Sequence, residues 1–194
     1  MNKLLKNFVL VVVLGLLLLS AGCGGKGDYY DLSSWSPPVD AAFTSFVRSM
    51  DSPSKLKSWI GSNCTYLISY KTIKSPYEFW KTKIGDCSEA GALNSYCLHQ
   101  HGYTTYQVYI LYTDNKAHRI CIYKVGSSYG YTSYHWPGIT GYYQYFPSYK
   151  ACVEDWDKRT TRTVEAYTVF NWAGTKIEIV GGTKIIERGI YDGE

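Results

Sequence analysis

Cys87 follows Asp86 directly in "IGDCSEAGALNSYCLHQHG" (Ile84–Gly102), a stretch that reads as the start of a helix. A side chain at the first helical position stands among backbone N–H groups that have no intrahelical partner, at the positive end of the helix dipole. That setting favours thiolate over thiol, and the same N–H groups are candidate donors to an oxyanion. The chemistry suited to such a thiol is attack on an acyl carbonyl, which needs a base nearby. Of the four histidines, His99 and His101 stand at the far end of the same helix. At 1.5 Å per residue they are about fifteen to twenty ångströms away, and they read as exposed or C-capping. Cys97, His99 and His101 alternate along a helix and do not converge on one metal ion. His118 opens a later strand, a place from which a side chain can reach a helix N-terminus.

The elements that must hold this pair are legible in outline. Asp86 at the N-cap with Glu89 three residues on forms a capping-box pattern. Ala90, Leu93 and Cys97 keep helical period with Cys87 at the edge of their stripe, so its sulfur is expected at the rim of a helix–sheet interface, and Gly102 stops the helix. Before it, residues 41–50 and 51–63 predict two short packing helices, the second ending at Gly61. Residues 64–73 lean to strand, and Ser75-Pro76 opens a third helix. After it come three strands, 103–112, 117–125 and 129–136, joined by turns. Residues 137–151 read as an irregular aromatic loop. Residues 163–172 read as a strand, and 175–191 as a hairpin about Gly181-Gly182. Helices followed by strands predict an α+β fold with a central helix packed on an antiparallel β-sheet.

"SPYEFWKTKIGDCSEAGALNSYCLHQHGY", followed by a hairpin with "AH" opening a strand, resembles the transglutaminase-like branch of the papain-like cysteine enzymes. The resemblance covers about 76–136. It implies a papain-like core in which Cys87 is the nucleophile, His118 the general base, and a residue on the next strand orients the imidazole. In the family that residue is an Asp. "GYTSYH" (Gly130–His135) puts His135 in its place, with Ser133 on the same strand face as the alternative, and no Asp or Asn occurs between Lys116 and Val153. Asn171-Trp172 lies too far from His118 to serve and reads as ordinary strand. The implied activity is hydrolysis, or transfer, of peptide or side-chain amide bonds through a thioester, with no cofactor and no metal. The competing expectation is an inactive relative that acts as a cell-envelope binding or scaffolding module.

The N-terminus gives the setting. Lys3 and Lys6 precede an apolar run from Phe8 to Leu19, too short to span a bilayer comfortably. "SAGC" (Ser20–Cys23) then resembles the lipobox of bacterial lipoproteins, which implies a signal peptide over 1–22 and lipid on Cys23. Residues 23–40, rich in Gly, Ser and Pro, read as a tether, and 41–194 as the folded domain. The expected location is extracytoplasmic, anchored by lipid to a bacterial cell membrane. Without Lys3 and Lys6 the chain carries 18 basic and 16 acidic side chains, too balanced for a nucleic-acid footprint; the partner that the resemblance implies is a peptide or protein substrate. The 20 tyrosines suit both strands and contact surfaces. Five cysteines beyond Cys23 leave at least one thiol unpaired, while the other four could pair in three ways or stay free in the core; no Cys-x-x-Cys supports a redox role.

Overall fold

The computed structural model describes residue 32 and residues 35–68, 73–135 and 138–181. The expected signal peptide, Cys23, most of the tether and the second half of the C-terminal hairpin lie outside the described residues. Among the described residues no helix is long and apolar enough to cross a membrane.

Four helices stand on one side of a sheet. Asp40 accepts from the N–H groups of Ala42 (2.8 Å) and Phe43 (3.0 Å) and starts α1 (Ala41–Ser49), which buries Phe43, Phe46 and Val47. Ser52 caps α2 (Pro53–Asn63) with proline in its first turn. The helix does not stop at Gly61. A Cβ there would come within 2.9 Å of Thr140 Oγ1, so this glycine admits a neighbouring strand instead of ending a helix. In the described part of the β-leaning stretch, β1 (Thr65–Tyr66) pairs in parallel with β2 (Ile84–Gly85). Between them, Ser75 and Glu78 form a capping box at α3 (Pro76–Thr82), which ends on Lys83 in the left-handed conformation at φ 56°.

The fourth helix, α4 (Cys87–Gln100), starts as its capping box requires: Asp86 N–H donates to Glu89 Oε2 (2.9 Å), and Ser88 N–H to Asp86 Oδ1 (2.8 Å). The expected one-sided stripe is not what forms. Every residue from Cys87 to Leu98 is buried, because α4 lies between the sheet and the outer helices. Small residues (Ala90, Gly91, Ala92, Ser95) let neighbours close in on several sides.

The sheet is antiparallel throughout, in the order β6-β5-β4-β3-β7-β8. Its strands are β3 (Thr104–Tyr112), β4 (Ala117–Val125), β5 (Ser128–His135), β6 (Ile139–Phe146), β7 (Val164–Asn171) and β8 (Lys176–Val180). The expected aromatic loop is thus a strand followed by a helix, α5 (Tyr149–Arg159). Ser148 caps α5 by accepting from Ala151 N–H at 3.1 Å, and Cys152, Val153 and Trp156 make its buried face. Tyrosines on both sides of β6 hide its alternation, whereas the Ser148 cap and the spacing of Cys152, Val153 and Trp156 are readable signals for α5. The fold is α+β, with α1–α4 on one face of the sheet and α5 on the other. Side-chain alternation divides β4 accordingly. Cys121 and Tyr123 join the core with α4, while Ile120 and Ile122 join the core with α5.

Candidate active site

Cys87 and His118 approach the sheet from opposite faces. His118 lies on the α5 face, stacked on Trp156 with ring centroids 4.5 Å apart and planes 10° from parallel. Cys87 belongs to α4. Between the two faces the sheet is incomplete: pairing between β4 and β5 begins only at Ile120↔Ser133, so Ala117–Arg119 and Tyr134–His135 have no ladder partner across that gap. There the Arg119 backbone N–H, one residue beyond His118, favours negative charge on the Cys87 sulfur.

The side chain bonded to the His118 ring is Ser133. His118 Nε2 lies 2.8 Å from Ser133 Oγ, while His135 stands with its ring centroid 6.3 Å from that of His118 and a buried Nδ1 without a partner. Among the described residues no hydrogen bond joins His118 to Cys87, to His135 or to a carboxylate. Trp156 ties the cluster together. It stacks on His118, meets His135 edge-on at 5.8 Å, and donates its Nε1–H to Tyr112 Oη at 2.7 Å.

Burial dominates the charge states. Cys87 is 3 % exposed, and its thiol is pushed up to about 12, first by desolvation and then by the Asp86 carboxylate, against the opposing Arg119 N–H and guanidinium. The expectation of a thiolate at the rim therefore gives way to a buried neutral thiol. The N-terminal dipole and one N–H do not offset the loss of water. His118 is pushed down to about 3 by desolvation, with His135, Arg162 and Arg119 adding in the same direction. His135 is also lowered by burial. Glu89, buried beside Asp86, is raised to about 7 by desolvation and by the Asp86 charge.

The remaining residues singled out in the sequence lie elsewhere. His101 caps α4 with its Nε2 2.8 Å from the Val47 carbonyl, and His99 stacks on Trp172 at 4.0 Å. Cys97 is buried in the core with Cys121, so Cys97, His99 and His101 point to three different places. Among the described residues no three His, Cys, Asp or Glu side chains converge as metal ligands. Cys64, Cys87, Cys97, Cys121 and Cys152 are all free thiols. Sequence reasoning missed Trp156 and Tyr112, which sit on elements that carry no motif.

Compared with known proteins, the chain matches no family model and no curated protein.

Proposed function

We propose that the chain is a cysteine enzyme of transglutaminase-like type, with a papain-like core, that cleaves amide bonds through a thioester. One observation carries this reading. Cys87 at the first position of a buried helix meets the Arg119 N–H through a break in the sheet, and the preceding residue, His118, is held through Nε2 by Ser133. Because Ser133 takes Nε2, Nδ1 is the imidazole nitrogen left for a thiol.

The neutral pair sets the order of events. The Cys87 S–H proton passes to His118 Nδ1 as the sulfur attacks the carbonyl carbon, and the Nε2–H of the resulting imidazolium donates to Ser133 Oγ. Ser88 N–H is committed to Asp86, so the Cys87 N–H is the backbone donor at this end of α4 left for the oxyanion. Collapse breaks the C–N bond, and the leaving nitrogen takes the Nδ1 proton. Water then gives its proton to Nδ1 and adds to the thioester, and the sulfur recovers the proton as the acid leaves. A hydroxyl stabilises the imidazolium less than a carboxylate does, so the expected enzyme is slow.

The test is acylation by p-nitrophenyl acetate. An acetyl group located on Cys87 by mass spectrometry, and lost in His118→Ala, supports the reading. Acetylation of Cys87 that is equal with and without His118, or absent altogether, overturns it. Attachment to an extracytoplasmic membrane face through lipid on Cys23 belongs to the same proposal, and Cys23→Ser should release the protein from membranes.

A second reading, a binding module, is favoured by a pocket of about 260 Å³ at the other end of α4, lined by His99, Tyr103, Thr105, Tyr106 and Trp172 among others. Burial holds His99 down, and the lining is aromatic and uncharged, which suits a neutral ring. Acetylation of Cys87 that depends on His118 separates the two readings.

A further inference from the structure

Arg119 is the most deeply buried cation of the described chain, at 1 % exposure, and it has no carboxylate partner. Its Nη1 donates to Gln107 Oε1 at 3.1 Å and its Cζ stands over the Tyr109 ring, 6.0 Å from the centroid, while Nε and Nη2 are buried without hydrogen-bond partners. A guanidinium held this way is costly, since burying an unbalanced charge destabilises a fold unless something offsets it. The helix above it also yields ground. Gly91, in the interior of α4, faces the Arg119 stem, and a Cβ there would stand 3.1 Å from both Cγ and Cδ. Glycine at such a position destabilises a helix relative to alanine. Two unfavourable features therefore coincide to keep one positive charge beneath the first turns of α4.

We infer that Arg119 is a positioning residue for the candidate reaction, its buried guanidinium acting as the standing countercharge to the Cys87 sulfur as that sulfur gives up its proton. The inference rests on the proposed function above. Arg119 acts on the site twice: its backbone N–H and its guanidinium both favour charge on the sulfur. The other titratable groups around the thiol work differently. Asp86 and Glu89 on α4 oppose negative charge on sulfur, and Tyr112 on β3 is itself pushed up by burial. His118 is held neutral by burial, His135, Arg162 and Arg119, and the Arg162 charge is engaged with Asp114 at 2.9 Å. A cation at this place favours charge on the sulfur as its proton leaves, and it helps keep the imidazole unprotonated beforehand, free to take that proton.

The experiment is the pH profile of Cys87 alkylation by iodoacetamide in the full chain, read on the Cys87 peptide by mass spectrometry so that the other cysteines do not interfere. Arg119→Met should slow alkylation at any pH below the plateau by about tenfold, the change that one pKa unit makes in thiolate fraction. Arg119→Lys should restore most of the rate. Gly91→Ala, which presses on the arginine stem without removing charge, should give an intermediate shift and keeps the question answerable if Arg119→Met does not fold. Equal profiles for the wild type, a folded Arg119→Met and Gly91→Ala overturn the countercharge. A wild-type Cys87 whose acetylation ignores His118→Ala overturns the underlying reading instead, so the two failures are distinct.

Discussion

His118 is held by Ser133, the residue one step inside the expected partner. Its Nε2 lies 2.8 Å from Ser133 Oγ, on the strand face shared with His135. In the register of β4 and β5, Ser133 opposes Ile120, two residues along from His118, so the imidazole leans diagonally across the pair. Ser133→Ala should reduce acetylation of Cys87 about tenfold and cost about 1 kcal/mol of stability, the ordinary worth of one such hydrogen bond. His135→Ala removes a charge centre that helps hold His118 down, so its effect should be a raised His118 titration with a smaller loss of rate. NMR titration of the His118 ring alongside acetylation rates checks both. A larger loss in His135→Ala than in Ser133→Ala would reverse the assignment of the orienting residue.

Asp86 has two opposed effects. It caps α4, and its charge pushes the neighbouring thiol up. Asparagine caps a helix about as well as aspartate but carries no charge. Asp86→Asn should leave helical content unchanged, within about 0.5 kcal/mol of stability, while alkylation of Cys87 at fixed pH becomes several-fold faster. A rate unchanged by the substitution would show that Asp86 exerts no effective charge on the sulfur.

The local chemistry around Cys87 was readable because it depends on neighbours in the chain. The Asp86–Glu89 box, Ser75-Pro76 and the strand that His118 opens all stand where spacing put them. The depth of Cys87 was not readable. It depends on α1–α3 closing over α4, a tertiary event to which the small residues Ala90, Gly91 and Ala92 give only an ambiguous clue. The partner of His118 depended on strand register and on which imidazole nitrogen points along the sheet, and a pattern of types cannot resolve either. β6 was hidden because tyrosine suits both faces of a strand: Tyr143 packs on Tyr131 at 4.7 Å on one face, and Tyr142 on Tyr123 at 6.4 Å on the other.

Gly130 and Tyr123 test the sheet independently of the site. They are register partners on β5 and β4, the Tyr123 ring lies over the glycine, and Tyr123 Oη donates to the Tyr143 carbonyl at 3.0 Å. A Cβ at 130 would collide with both that ring and that carbonyl. Gly130→Ala should therefore destabilise the fold by about 1–3 kcal/mol, the cost of overpacking a close-packed site. Chemical denaturation is the measurement. A neutral result would mean that Tyr123 can swing away without loss.

The acid limb of stability should carry the mark of His118. Its folded pKa of about 3 lies below the ordinary 6.5, so between these values the unfolded chain binds the extra proton. On that account folding weakens as pH falls from about 6.5, by up to tenfold in the equilibrium constant per pH unit, and stops weakening near 3. Glu89 acts with the opposite sign. Its pKa of about 7 lies above the ordinary 4.5, so it weakens folding as pH rises between those values. The two slopes oppose one another from about 4.5 to 6.5, and below 4.5 His118 acts without that offset. Asp40, Asp51, Asp114, Asp155 and Glu178, all lowered, add their own acid sensitivity to any variant, so the informative quantity is a difference. His118→Gln, which has no proton to gain, should lose less stability than the wild type between pH 4.5 and pH 3.5, by up to about 1.4 kcal/mol for one proton over one pH unit. Urea denaturation of both proteins at the two pH values reads this directly. Parallel losses would mean that His118 is already protonated in the folded state, and the buried neutral base would have to be given up.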